Sequence, residues 1–333
     1  AVVVRSTGND SPHDGLLDFE ETFLRRDRPH SEAGEDPFAA LRHRADDIVL
    51  VNYTSGTTGE PKAMLHTFNS LRAAAAPIFD AMAPPTPTSA SWRRRWVTSP
   101  GSCGGTAGCA RPRMKVVYQD VWDPAGFVRA IARERITWTY SATPFAVDTV
   151  AAQLAARQDT GSFRSFVCGG APIPSALAAQ VSEVLGARLI ALWGTSECGI
   201  CTIQSPSDPL DEVSTNDGRP TPVMWVKIVD RQGAPVRRGV PGRLLVKGPS
   251  LFVGYLERMD LYDAVVDADG WFDTGDLGYD TGTGSIRISG RSKDIIVRGG
   301  ENVPVVEIEN VLFGHPRVRE VAVVGYADDR LGE

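Results

Sequence analysis

Residues 53–62 read YTSGTTGEPK, and this string has the residue types for holding phosphate. Thr54, Ser55, Thr57 and Thr58 supply four hydroxyls, Gly56 and Gly59 two glycines, and Lys62 a positive charge. Glycines let backbone N–H groups converge on an anion, hydroxyls donate to its oxygens, and a lysine adds charge. The string is not a Walker A loop. Its glycine spacing ahead of Lys62 is wrong, and Ala63 stands where a Ser or Thr would bind magnesium. It reads as a phosphate-binding turn between a strand and a helix.

Four more groups of candidate residues follow along the chain. Gly169-Gly170-Ala171-Pro172 is a tight turn, and Trp193-Gly194-Thr195-Ser196-Glu197 places an aromatic ring beside hydroxyls and a carboxylate. Asp273-Thr274-Gly275-Asp276 offers a further carboxylate. Gly290-Arg291-Ser292-Lys293-Asp294 brings two cations, followed by Arg298-Gly299-Gly300-Glu301-Asn302.

With residues 53–62, these strings resemble the adenylate-forming (AMP-binding) acyl-CoA synthetase superfamily, which also includes luciferases and peptide-synthetase adenylation domains. They match its phosphate loop, adenine turn, aromatic-Gly-x-Thr-Glu motif, ribose motif and hinge, in that order. Ser196 replaces the usual Thr but keeps its hydroxyl. The resemblance spans about residues 50–333, apart from 84–114. The texture of residues 166–174 and 298–312 is similar to ligases for cyclic and medium-chain acids, cyclohexanecarboxylate–CoA ligase-like enzymes among them.

The resemblance implies an acid–thiol ligase using ATP, Mg2+ and CoA. A carboxylate attacks the ATP α-phosphate and leaves as acyl-adenylate, and the acyl group then passes to CoA. Charge gathers on phosphate oxygens in the transition state, so catalysis is mainly positioning and electrostatics. By this resemblance Thr54, Ser55, Gly56, Thr57, Thr58, Gly59 and Lys62 hold the leaving phosphates. Gly170, Ala171, Pro172, Trp193, Gly194, Thr195 and Ser196 surround the nucleotide. Glu197 is the metal ligand, a hard cation favouring carboxylate oxygen. Asp276 accepts from the ribose hydroxyls, and Arg291 reaches the ribose or a phosphate. Lys293 is the hinge, and Gly299 and Gly300 follow where the pantetheine arm passes. The acyl pocket is expected at Thr143, Pro144, Phe145, Cys168 and Trp193. Thr54, Lys62 and Glu197 carry the catalytic expectation. Two other readings stay open: an adenylation enzyme that loads a carrier protein's pantetheine, and an inactive remnant that only binds nucleotide or acyl-adenylate.

The elements that must position these residues alternate short β-branched runs with longer helical ones, the sign of an α/β protein. Strands are expected at residues 47–53, 136–140 and 188–192, and helices at 66–82, 127–134 and 175–185. From Met224 onward, short strands at 226–229, 242–246 and 285–288 indicate a β-rich subdomain. A small β-α-β unit should follow: a strand over 295–298, a helix capped by Asn302 with Pro304 in its first turn, and a strand over 321–326. The expected architecture is the adenylate-forming ligase fold: a large α/β domain over 1–290, partial at its start, then the beginning of a small α+β C-terminal subdomain over 291–333. Both ends read as cut, with the family's adenylation lysine beyond Glu333.

Composition narrows the function. The 333 residues carry a formal charge of −6, with 42% hydrophobic and 23% charged residues. An acidic chain of this kind is no dedicated nucleic-acid binder, and no apolar run reaches the ~18–20 residues that span a bilayer. Five cysteines form no paired framework, which places the protein in a reducing cytoplasm. Cys198 and Cys201 lack the partners of a zinc site and read as packing residues.

Residues 84–114 fit neither texture. Trp92 and Trp96 flank three arginines, and the stretch reads as an irregular loop rather than a nucleic-acid patch. The family's Gly-His-x-x-Gly motif falls here, yet residues 99–105 read SPGSCGG, with no histidine. An out-of-frame segment accounts for this, because a TCA codon for Ser102 followed by TGC restores a histidine codon one base on. Family texture resumes at Lys115-Val116-Val117.

Overall fold

The computed structural model describes residues 44–54, 62–82, 114–119, 121–170 and 173–292. It also describes the shorter runs 2–4, 16–18, 94–98, 296–298, 301–303, 305–313 and 321–326, and positions 315, 317, 318, 328 and 330. The chain divides into two compact units, Ala1–Arg44 and Ala45–Glu333. In the first, β1 (Val2–Val4) pairs in parallel with β2 (Leu16–Asp18).

The second unit opens on β3 (Ile48–Thr54), which returns antiparallel as β4 (Lys62–Thr67) and leads into α1 (Phe68–Ala81). The expected helix over 66–82 therefore begins two residues late, and residues 62–67 form a strand that the helical pattern concealed. Thr67 is the switch point. Its side chain accepts from Ser70 N–H while the Ser70 hydroxyl accepts from Thr67 N–H, a capping box that starts the helix at Phe68.

A seven-stranded sheet forms the centre of this unit. β5 (Arg94–Thr98), β6 (Met114–Tyr118), β7 (Trp138–Ser141), β8 (Ser165–Cys168) and β9 (Arg188–Thr195) run parallel in the order β6-β5-β7-β8-β9. β10 (Gly199–Ile203) and β11 (Arg219–Pro220) extend it antiparallel beyond β9. The segment read as an irregular loop thus contributes a strand, β5, to the sheet. Trp96, Val97 and Thr98 are the strand-prone residues there.

Crossover helices α2 (Pro124–Glu134), α3 (Thr143–Ala156) and α4 (Ser175–Leu185) link the parallel strands. Arg135, Arg157 and Gly186 end them in the left-handed conformation, as helix stops do. Period-two alternation sorts the strand residues to the two faces. Phe166, Cys168, Leu189 and Ala191 pack with Phe127, Ile131, Leu177 and Leu185 of α2 and α4. Trp138, Val167, Ile190 and Leu192 pack with Ile78 and Phe79 of α1.

The β-rich subdomain is an antiparallel sheet of β12 (Trp225–Val229), β13 (Gly242–Lys247), β15 (Phe272–Asp280) and β16 (Ile286–Arg291). Between β13 and β15, β14 (Gly254–Tyr255) crosses to pair with β4, and the short α5 (Met259–Asp263) follows. The third core joins this sheet to the end of the parallel one, through Met64, Trp193, Cys198, Cys201, Met224, Leu244, Phe252, Tyr255 and Phe272.

After β16, β17 (Ile296–Arg298) and β18 (Glu301–Val303) form a hairpin with Arg298 opposite Glu301, and α6 (Val305–Phe313) follows. Asn302 therefore lies in a strand rather than at a helix cap, paired with Val297 across the ladder. The strand expected over 321–326 does not form. Val323 N–H donates to the Glu309 carboxylate at 2.9 Å, so a helix side chain takes the donor that a ladder would need. Among the described residues, no helix is long and apolar enough to cross a membrane.

Candidate nucleotide-binding site

The phosphate-type string lies between two strands rather than a strand and a helix. Thr54 ends β3 and Lys62 opens β4, directly opposite one another in the ladder. The loop ends are pinned by this pairing. Ser55, Gly56, Thr57, Thr58 and Gly59 lie outside the described residues. Lys62 Nζ sits 5.4 Å from the centroid of the Tyr255 ring, within cation–π range.

Glu197 occupies the tight turn between β9 and β10. Expected to end at 192, β9 instead continues through Trp193, Gly194 and Thr195, because β10 pairs back along it. Gly194 is required by this hairpin, since a Cβ there would collide with the Gly199 carbonyl oxygen. The Thr195 hydroxyl accepts from Glu197 N–H at 3.2 Å. From outside the hairpin, Phe252 N–H donates to the Glu197 carbonyl at 2.7 Å, and the Ser250 hydroxyl donates to the Cys198 carbonyl at 2.6 Å.

His66 braces the same turn, a role the sequence reading missed. Its Nε2 lies 2.9 Å from the Ser196 carbonyl and its Nδ1 2.9 Å from the Ser70 hydroxyl. A carbonyl can only accept, so Nε2 carries the proton, and the Ser70 hydroxyl has two acceptors within reach, Nδ1 and the Thr67 carbonyl at 3.1 Å. Burial lowers the His66 pKa, against the opposing effects of the Ser196 carbonyl and the Glu197 charge. The neutral ring suits both partners.

Asp276 joins two strings far apart in the chain. Trp193 Nε1–H donates to its Oδ2 at 2.9 Å, and Arg291 Nε donates to its Oδ1 at 3.1 Å. Asp276 and Arg291 also face each other across β15 and β16. Burial raises the Asp276 pKa, Trp193 and Arg291 counter that shift, and Glu197 adds to it. The Asp276 side chain is 6% exposed and that of Arg291 58%, so the carboxylate is buried while the cation reaches solvent.

Of the residues expected to wall an acyl pocket, Cys168 and Phe145 share one core and Trp193 belongs to another. Cys168 is fully buried in the core against α2–α4, where burial pushes its thiol up. Phe145 packs on that same core, 4.7 Å from the Trp122 ring, and Thr143 is buried in the first turn of α3. Trp193 belongs to the core under the β-rich sheet. Gly170 is exposed with φ +81°, and open space lies where a side chain would be. Ala171, Pro172, Lys293, Gly299 and Gly300 lie outside the described residues.

Among the described residues, no group of three or more His, Cys, Asp or Glu could hold a metal ion. The residues present still fit magnesium, which usually takes one or two protein carboxylates together with substrate phosphates. Glu197 is half-buried, and among the described residues its Oε1 accepts a long 3.4 Å hydrogen bond from Tyr255, which leaves oxygen lone pairs for a cation.

Residues 5–256 match the model of the family described as AMP-binding enzyme. The chain belongs to the AMP-binding enzyme family. It is similar to the medium-chain fatty-acid–CoA ligase of Escherichia coli (strain K12), 31% identical over 88% of this chain and 52% of the relative. It is also similar to the feruloyl-CoA synthase of an Amycolatopsis species, 31% identical over 91% of this chain and 61% of the relative. The chain thus spans about half to three-fifths of the length of these curated relatives. Among solved structures, o-succinylbenzoate coenzyme A synthetase from Bacillus subtilis in complex with AMP superposes with a TM-score of 0.75. The match is 26% identical and covers 86% of this chain and 58% of that one. The fold is therefore that of an adenylate-forming ligase, its large α/β domain with the β-rich subdomain attached.

Proposed function

We propose that this chain carries the ATP-binding part of an AMP-forming carboxylic acid–CoA ligase. A carboxylate oxygen attacks the ATP α-phosphorus and expels pyrophosphate, leaving acyl-adenylate. The CoA thiol then attacks the acyl carbon and releases AMP. The observation that carries this reading is the Trp193–Asp276–Arg291 connection, which joins three motif strings into one polar cluster.

In this proposal Thr54, Ser55, Thr57, Thr58 and Lys62 hold the departing β,γ-phosphates. Asp276, ionised and acceptor-only, uses its remaining lone pairs for the two ribose hydroxyls. Arg291 pairs with Asp276 and reaches toward ribose or phosphate. Glu197 would hold magnesium, which would supply charge neutralisation on the phosphate oxygens. Lys293 is the hinge between the half-reactions, and Gly299 and Gly300 line the path of the thiol. The acid is hydrophobic and of medium size, in keeping with the names of the similar CoA ligases. A reducing cytoplasm suits the free thiols Cys168, Cys198 and Cys201.

Pyrophosphate exchange into ATP by the whole protein, over a panel of carboxylic acids, tests the reading. Exchange should depend on the acid and fall about tenfold or more with dATP, the loss expected for one hydrogen bond to a charged group. Exchange without acid, or equal rates with dATP, would overturn it.

A further inference from the structure

Residues 250–256 were assigned no role from sequence, yet they stitch the two charged parts of the site together. Leu256 N–H donates to the Ala63 carbonyl at 2.8 Å, and Tyr255 pairs with Met64 on β4, the strand that Lys62 opens. Phe252 N–H holds the Glu197 carbonyl at 2.7 Å. Tyr255 lies between these contacts, 5% exposed. Its ring packs 4.9 Å from that of Phe252, which in turn meets Phe272 at 5.4 Å. One ring face is turned to Lys62 Nζ at 5.4 Å, and the hydroxyl donates to Glu197 Oε1 at 3.4 Å. Burial, and then the Glu197 charge, push the phenol well above its usual range, so it remains a donor.

We propose that Tyr255 is a positioning residue that couples Lys62 to Glu197, its ring orienting the ammonium and its hydroxyl orienting the carboxylate. The proposal rests on the reading of Lys62 as a phosphate contact and Glu197 as the metal ligand. Tyr255 itself touches neither phosphate nor metal. It fixes which Glu197 oxygen is left for the cation and where the ammonium stands relative to it. The two halves of the side chain therefore have separable effects. The hydroxyl governs the cation and the ring governs the phosphates.

The test uses the whole protein with Tyr255→Phe, Tyr255→Leu and Glu197→Gln. Two affinities are measured: that of the protein for ATP by calorimetry, and that of the protein–ATP complex for Mn2+ by paramagnetic resonance. Tyr255→Phe keeps the ring and the core packing. It should leave ATP affinity within about twofold and weaken Mn2+ binding roughly threefold to tenfold, the range of a single hydrogen bond. Tyr255→Leu should weaken both. A Tyr255→Phe variant with wild-type Mn2+ affinity, while Glu197→Gln loses it, would overturn the positioning role and leave the ligase reading standing. Unchanged Mn2+ affinity in Glu197→Gln would overturn the metal assignment itself. Should Tyr255→Leu fail to fold, the Tyr255→Phe comparison still decides.

Discussion

His66 shows how single residues hold the site. It is 2% exposed and its ring satisfies a carbonyl on one side and a hydroxyl on the other. His66→Ala strips the Ser196 carbonyl of this donor and leaves the Ser70 hydroxyl only the Thr67 carbonyl to donate to, which should cost about 1–3 kcal/mol in denaturant unfolding. The pH dependence follows from the direction of its shift. Burial lowers the folded-state pKa below the ordinary value of 6.5, so the unfolded chain binds the proton more readily. The His66 contribution is therefore fully present above about pH 6.5 and is lost as pH falls through the lowered folded value. Stability measured from pH 8 down to 5 should decline less steeply in His66→Asn than in the wild type, and equal slopes would contradict the assignment. Residue types and local spacing made Lys62, Glu197, Asp276 and Arg291 legible as candidates. His66 was not legible, because its partner Ser196 lies 130 residues away and only the folded chain brings them together.

At the scale of elements, the β9–β10 hairpin sets the geometry of Glu197. Gly194→Ala should drive a Cβ into the Gly199 carbonyl oxygen, which is backbone and cannot swing aside. Overpacking of this kind costs typically ~1–3 kcal/mol. It should also displace Glu197, so thermal stability and ATP affinity fall together. A variant that melted like the wild type would show that the hairpin tolerates the added carbon. Elements whose signal is local were readable: α4 lies over the expected 175–185, and β7 and β9 overlap the β-branched and apolar runs expected as strands over 136–140 and 188–192. β4 was hidden, since Lys62 reads as the end of the phosphate string and His66–Thr67 as the start of the helix until the Thr67–Ser70 capping box is recognised as the break. β5 was hidden by the arginine-rich composition of residues 93–95. The 321–326 run is apolar enough for a strand, but Glu309 takes the Val323 donor.

At the scale of the whole molecule, the order of the motifs along the chain was legible, and so was the change from parallel α/β texture to the β-rich subdomain after Met224. The joining of the two was not, because the third core draws Met64, Trp193, Phe252 and Phe272 from four separate parts of the chain. In the proposed function one site serves two half-reactions. Lys293→Pro fixes φ near −65° and removes a backbone donor. In the whole protein it should spare adenylate formation and slow thioester formation steeply, and equal slowing of both would contradict the hinge. The central claim, that the carboxylate attacks the α-phosphorus, is tested most directly by isotope transfer. With an 18O-labelled carboxylic acid, ATP and CoA, the attacking oxygen stays on phosphorus when the thiol displaces the nucleotide. The account predicts one 18O in the AMP phosphate, none in pyrophosphate and one retained in the thioester carbonyl. Label in inorganic phosphate with ADP as product, or AMP free of label, would contradict it.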